Sequence, residues 1–146
     1  MVADPQKRAR LLAALYIAQE QYGWLSSEAI YRVAQRLELS PGQVRSTASF
    51  YSMFKLEPRG KYHVQVCEGL SCYLVGGADP IIDQVCEILN INAGETTQDG
   101  KFSLEIVQCL ASCGTAPALR INDELYEHMT PESIAELLKN LQGDLS

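Results

Sequence analysis

The sequence contains no apolar run that approaches the roughly 18 residues needed to span a bilayer. It begins with neither the hydrophobic stretch of a secretory signal nor an Arg-rich amphipathic transit peptide. We therefore expect a cytoplasmic protein that does not insert into a membrane. Clustered positive charge is also missing, because 18 acidic residues outnumber 12 Lys and Arg and give a net charge of −6. Nucleic acids and anionic membranes favour clustered Lys and Arg, so we expect neither as a partner.

Nucleotide-binding fingerprints are absent as well. The sequence has no G-x-G-x-x-G after a strand-like segment and no G-x-x-x-x-G-K-S/T. Gly76-Gly77 precedes a helix-like segment but completes neither motif. A chain without a dinucleotide or flavin site cannot take a hydride. Any redox role is then limited to single electrons, and a partner must supply the substrate and the flavin.

What the sequence does contain begins with a helical part, residues 1–56. Apolar residues recur there at helical spacing in three successive segments. Ser26 or Ser27 can cap the second helix. Ser40-Pro41-Gly42-Gln43 has the pattern of a capping box at the start of the third. We expect a small three-helix bundle that also serves as a docking region, because its apolar faces exceed what three helices bury.

Residues 57–146 follow a different pattern after the turn-forming segment Glu57-Pro58-Arg59-Gly60, which marks the expected domain boundary. In two segments the residues alternate as they do in strands, and a helix lies between these segments. A hairpin and a last helix follow. These elements are the strands 61–66 and 101–107, the helix begun by Asp79-Pro80 with Asp79 as N-cap, the hairpin at Asn122-Asp123, and the helix begun by Thr130-Pro131. This order predicts a small α/β sandwich with one mixed sheet.

Four of the five cysteines form two pairs, Cys67 with Cys72 and Cys109 with Cys113. Each pair follows a predicted strand, and two strands of one sheet can bring both loops to the same site. Four thiolates from two loops are the ligand set of a [2Fe–2S] cluster. The neighbouring residues are small, which lets backbone N–H groups approach the cluster sulfurs and influence the reduction potential.

Other uses of four cysteines compete with this interpretation. A structural Cys₄ zinc site is the strongest, because zinc ligands also lie two to four residues apart within a pair. Disulfides are disfavoured in a reducing compartment. Thiol redox catalysis uses C-x-x-C, and neither pair has that spacing.

Three further residues have chemistry but no ligand role in this interpretation. Cys86 lies on the predicted inner face of a helix with Ile82 and Leu89, where a cysteine acts as a small apolar residue. His63 and His128 are isolated, and we expect packing or surface roles for both.

Several motifs resemble those of one known family. They are Ser49-Phe50-Tyr51-Ser52-Met53-Phe54, Gly60-Lys61-Tyr62-His63-Val64-Gln65-Val66-Cys67, Gly94-Glu95-Thr96-Thr97-Gln98-Asp99-Gly100-Lys101-Phe102, Cys109-Leu110-Ala111-Ser112-Cys113-Gly114-Thr115-Ala116-Pro117 and Ile121-Asn122-Asp123. The sequence resembles the small [2Fe–2S] subunit of NADH:quinone oxidoreductase, respiratory complex I, over nearly its whole length. There are departures: Ala111-Ser112 stands where the family usually has Gly-Ala, and Val75 stands where a basic residue is common.

The resemblance implies a thioredoxin-like [2Fe–2S] ferredoxin domain with an N-terminal three-helix extension. It implies that Cys67, Cys72, Cys109 and Cys113 are the cluster ligands. It also implies a flavoprotein partner subunit that binds NADH and FMN and carries a [4Fe–4S] cluster. The chain would then exchange one electron with that flavin, in the peripheral arm of the complex on the cytoplasmic side of the membrane, and would not be catalytic alone.

Two alternative functions remain open at this point. The first is the equivalent subunit of an NAD-linked formate dehydrogenase or an NAD(P)-linked hydrogenase, which share the same module. The second is a zinc-stabilised interaction module without a redox role.

Overall fold

The computed structural model describes residues 5–144 of the chain. Backbone proximity divides the chain into two compact units, Met1–Arg59 and Gly60–Ser146. None of the described helices is both long enough and apolar enough to cross a membrane. The family-based expectation of an α+β fold with three N-terminal helices and a mixed sheet is confirmed.

The first unit consists of three helices, α1 (Pro5–Tyr22), α2 (Ser27–Leu37) and α3 (Pro41–Phe50). The starts of α2 and α3 follow from local capping. The Ser26 side chain accepts a hydrogen bond from the Ala29 N–H at 3.1 Å. Ser40 and Gln43 form the reciprocal bonds of a capping box at 3.1 and 3.2 Å. The helices share a core of buried apolar side chains, among them Leu11, Leu15, Ile30, Ala34, Val44 and Ala48.

The second unit is built on a four-stranded sheet in the order β2-β1-β3-β4. The strands are β1 (Tyr62–Cys67), β2 (Phe102–Val107), β3 (Leu119–Ile121) and β4 (Glu124–Tyr126). β1 pairs with β2 in parallel and with β3 in antiparallel orientation, and β3 and β4 form the predicted hairpin. The parallel pairing places the cysteine loops close together, because both strands end at the same edge of the sheet.

Three helices complete this unit: α4 (Leu70–Leu74), α5 (Ala78–Leu89) and α6 (Pro131–Gly143). Apolar side chains of the sheet and of α5 and α6 form one core, which includes Val64, Val66, Leu104, Leu119, Ile81, Val85, Ile134 and Leu138. Thr130 and Ser133 form a capping box at the start of α6. The Thr130 hydroxyl accepts from the Ser133 N–H at 3.2 Å, and the Ser133 hydroxyl accepts from the Thr130 N–H at 2.9 Å.

The predicted N-cap of one helix in this unit was wrong, and another helix was not predicted. α5 begins at Ala78 with Gly77 as N-cap, so Asp79 lies in the first turn and not at the cap. The acidic side chain still suits the positive end of the helix dipole. The short helix α4 was not predicted, because five residues are too few to show a hydrophobic period.

Candidate metal centre

The four paired cysteines occupy two loops at one edge of the sheet. Cys67 is the last residue of β1, and Cys72 lies in the following helix α4. Cys109 comes two residues after the end of β2, and Cys113 begins a short 3₁₀ turn that ends at Thr115. Since β1 and β2 are parallel with Cys67 paired to Val107, the two loops leave the sheet side by side.

The two loops are held together by short backbone contacts. The Glu68 N–H donates to the Val107 carbonyl at 2.9 Å, and the Cys67 N–H donates to the Ala118 carbonyl at 3.3 Å. The Gln108 side chain amide also donates to the Glu68 carboxylate. Both loops are therefore fixed to the same end of the sheet, close to their cysteines.

Gly69 allows this close approach. A Cβ atom at this position would lie 2.7 Å from the Gln108 carbonyl oxygen and 3.4 Å from the Cys67 Sγ. The backbone angles of Gly69 are φ −56° and ψ 157°, which any residue adopts. The glycine is needed for space and not for conformation.

We expect Gly69→Ala to push the two loops apart and to lower the amount of bound metal per chain. Overpacking of this kind costs about 1–3 kcal/mol. Metal and sulfide content and urea unfolding measure both effects. Gly114→Ala is the matched control, because a Cβ there meets no atom within 4 Å. Equal metal content in the two variants would contradict the role given to Gly69.

The two pairs differ in exposure. Cys67 and Cys72 are buried, with 5% and 2% of their surface accessible, whereas Cys109 and Cys113 are exposed. The first loop, which carries Cys67 and Cys72, thus forms the buried side of the site. The second loop, which carries Cys109 and Cys113, forms the side that faces solvent.

Cysteines from both loops influence one another. Burial raises the pKa of the Cys72 thiol; a hydrogen bond and charge interaction with Cys67 and the charge of Cys113 raise that pKa further, while a hydrogen bond with the Ala118 backbone lowers it. The structure thus brings Cys67, Cys72 and Cys113 within electrostatic range.

The second loop already directs a backbone donor at a cysteine sulfur. The Ala111 N–H donates to Cys109 Sγ at 3.2 Å. Ala111 reaches this position with φ +57°, in the left-handed region that favours glycine. Glycine enters this region without a Cβ penalty, which agrees with the Gly-Ala that the resembling family usually has at Ala111-Ser112.

We expect Ala111→Gly to stabilise the protein by about 0.5–1 kcal/mol, because relief of the left-handed strain exceeds the entropy that glycine adds to the unfolded chain. Thermal unfolding checks the sign. Asn122→Gly, at φ +54° in the β3–β4 turn, is the comparison, since asparagine tolerates this region and gains less. A lower melting temperature for Ala111→Gly would show that the alanine is not strained.

The donor set fits a [2Fe–2S] cluster. None of the five cysteines, all of which the structure describes, forms a disulfide. Within residues 5–144, no group of three or more His, Cys, Asp or Glu side chains is placed to hold one metal ion. That finding concerns a single ion, whereas a [2Fe–2S] cluster spreads four thiolates over two irons and takes them as two pairs.

Of the other chemically active residues, Cys86 and His63 have their contacts outside this site, whereas the His128 backbone bonds to Thr115 in the Cys113 turn. Cys86 is half-buried against the core of the second unit, where burial and then the charge of Asp83 raise its thiol pKa. His63 is buried, and its ring nitrogens lie 2.8 Å from Ser103 Oγ and 2.8 Å from a Glu105 carboxylate oxygen. His128 is exposed. The structural roles predicted for the two histidines agree with these positions.

An exposed apolar surface beside the site was not predicted. Helix α4 turns Cys72 inward, while Leu70, Tyr73 and Leu74 point outward with 58–73% of their surface accessible. Val75, where the family commonly has a basic residue, is exposed as well. The signal in the sequence was the apolar spacing around Cys72, but it was too short to define a face.

Comparison with known proteins finds a matching family and similar proteins. The profile of the family described as thioredoxin-like [2Fe–2S] ferredoxin matches residues 1–142. NADH-quinone oxidoreductase subunit 2 of Thermus thermophilus is 42% identical over 138 residues, which are 94% of this chain and 76% of that protein. A NADH-quinone oxidoreductase subunit of Rickettsia bellii is 42% identical over 139 residues, 94% of this chain and 83% of that protein.

Hydrogenase subunits are similar too. The NADP-reducing hydrogenase subunit HndA of Solidesulfovibrio fructosivorans is 36% identical over 134 residues, 92% of this chain and 78% of that protein. Among solved structures, a chain of an air-oxidized NAD⁺-reducing [NiFe]-hydrogenase superimposes with a TM-score of 0.83 at 25% identity. The superposition covers 94% of this chain but only 23% of that one, so this chain corresponds to less than a quarter of its length.

Proposed function

Because the chain belongs to the thioredoxin-like [2Fe–2S] ferredoxin family, we propose that it holds one [2Fe–2S] cluster through Cys67, Cys72, Cys109 and Cys113. We propose further that it is the one-electron carrier subunit of an NADH:quinone oxidoreductase, as its relatives of about 42% identity are named. The observation that carries this proposal is the placement of two cysteine pairs in adjoining loops after two parallel strands.

The protein's own residues would bind the cluster and shape its surroundings. Cys67 and Cys72 supply a buried pair of ligands, and Cys109 and Cys113 supply an exposed pair. The Ala111 N–H partly neutralises the Cys109 sulfur, which favours the more negative reduced state. When bound, the cluster supplies a centre that accepts and returns one electron at a time.

A partner must supply the two-electron chemistry, because the sequence has no dinucleotide or flavin fingerprint. We propose a flavoprotein subunit that binds NADH and FMN and carries a [4Fe–4S] cluster, on the cytoplasmic side of the membrane. Residues 1–56 are proposed as a docking region, and residues 57–146 as the cluster domain. The exposed aromatic side chains of the helical unit, Tyr16, Tyr31 and Phe50, support a docking role.

A second function has specific support. The hydrogenase relative and the hydrogenase structure show that this module also occurs in NAD(P)-linked hydrogenases. Purification of the native assembly through a tag on this chain distinguishes the two. Bound FMN with membrane subunits and no nickel supports the quinone-linked complex. Nickel in the assembly would assign the chain to a hydrogenase, and molybdenum would assign it to a formate dehydrogenase.

The cluster itself is tested by iron, zinc and acid-labile sulfide analysis of anaerobically purified protein, with EPR before and after dithionite reduction. About two irons and two sulfides per chain, with a signal that appears only on reduction, are expected. About one zinc per chain with no sulfide and no signal, even after reconstitution, would make the site a structural zinc centre.

A further inference from the structure

The turn that carries Cys113 lies on the solvent-exposed side of its loop. Cys113 is exposed, and a Cβ atom on the adjacent Gly114 would meet no atom within 4 Å. The 3₁₀ turn that begins at Cys113 has no side-chain cap. Hydrogen bonds must therefore supply the order that the core gives to Cys67 and Cys72.

One carboxylate from another part of the chain accepts bonds from both ends of this turn. Glu127 follows β4, and its Oε1 accepts from the Thr115 hydroxyl at 2.8 Å and from the Ser112 hydroxyl at 3.3 Å. The two hydroxyl oxygens also lie within hydrogen-bond distance of each other, so the single Ser112 proton goes either to the Thr115 oxygen or to Glu127. Ser112 is adjacent to Cys113.

The backbone beside Glu127 reinforces this connection. The His128 N–H donates to the Thr115 carbonyl at 2.9 Å, and the Met129 N–H donates to the Pro117 carbonyl at 2.9 Å. Met129 is buried in the core of the second unit. The segment that carries Glu127 is thus fixed to the core, and its hydrogen bonds hold the cysteine loop in place.

We propose that Glu127 is a positioning residue for the metal centre, which fixes the Cys113 loop through Ser112 and Thr115 and places a negative charge beside the cluster. This inference rests on the proposed [2Fe–2S] function. A negative charge opposes addition of an electron, so Glu127 lowers the reduction potential of the cluster. Because the carboxylate is exposed, added salt screens this effect.

The test compares Glu127→Gln, Glu127→Ala and Glu124→Gln by EPR-monitored redox titration of the full chain. Glu127→Gln keeps an acceptor oxygen and removes the charge, so we expect a higher midpoint potential, an unchanged EPR line shape and a difference that shrinks in high salt. Glu127→Ala also frees the loop and should broaden the EPR signal. Glu124→Gln removes the same charge from β4, where the Glu124 carboxylate accepts a bond from the Tyr126 hydroxyl, and should shift the potential less.

Two results would overturn the proposal. The first is a midpoint potential for Glu127→Gln equal to that of the unmodified protein at low salt. The second is a shift for Glu124→Gln as large as that for Glu127→Gln, which would show a general charge effect and no specific one. If the unmodified protein contains no iron and sulfide, the proposed function itself is wrong, and that outcome is visible before any variant is made.

Discussion

Replacement of Cys67 or Cys113 with alanine is expected to remove the cluster completely, because retention of a [2Fe–2S] centre needs all four thiolates. Cys113→Ala is the sharper of the two variants. Its side chain is exposed, so the change creates no cavity in the core. Iron and sulfide content should fall to background, and the EPR signal of the reduced protein should vanish. The circular dichroism of the variant apoprotein should equal that of the unmodified apoprotein, because the fold is retained.

Cys86→Ser is the matched control for the loss of a thiol. Cys86 packs against the core of the second unit and lies outside the two loops of paired cysteines. We expect full cluster content and a loss of about 1–2 kcal/mol of stability from the partly buried hydroxyl. Loss of iron in Cys86→Ser, or full retention of iron in Cys113→Ala, would show that the ligand set is assigned wrongly.

The second large effect is expected for Gly77→Ala. A Cβ atom at Gly77 would lie 2.0 Å from Cγ and 2.5 Å from Cβ of Pro117. The proline ring is rigid and cannot rotate away, so the backbone on one side must move. Gly77 follows the Cys72 helix and Pro117 follows the Cys113 turn, which means that the shift separates the two cysteine loops. We expect a loss of about 2–3 kcal/mol and incomplete cluster loading.

Gly76→Ala is the control for this prediction because it alters the neighbouring residue. Gly76 has φ +71°, and a Cβ there meets no atom within 4 Å. Its substitution costs only the left-handed strain, about 1–2 kcal/mol. Urea unfolding and metal analysis of both variants separate the contact with Pro117 from strain. Equal cluster loading in Gly76→Ala and Gly77→Ala would contradict the importance of that contact.

The elements whose signals are local were predictable. Ser40 and Gln43 lie three residues apart and form their capping box without help from the rest of the chain. The hairpin at Asn122-Asp123 is equally local, and the structure has Asn122 at φ +54° as such turns require. The two cysteine pairs were recognisable for the same reason, because both members of each pair lie within one loop.

The start of α5 and the existence of α4 were not predictable from the same signals. Asp79-Pro80 has the pattern of a cap and a first helical residue, but the helix begins two residues earlier, at Ala78, with Gly77 as its cap in contact with Pro117. That contact joins two residues that are far apart along the chain. Helix α4 is short, and it becomes recognisable only because Cys72 is buried and its neighbours are not.

The sequence by itself therefore determined the three N-terminal helices, the strand-helix-strand order and the two cysteine pairs proposed to hold a [2Fe–2S] cluster. Only the tertiary structure decided how closely the two cysteine loops meet, which pair is buried, and that Glu127 bonds the loop of Cys113. The physical reason is range: caps, turns and pair spacing act within a few residues, whereas contacts such as Gly69 with Gln108 exist only after the parallel strands have paired.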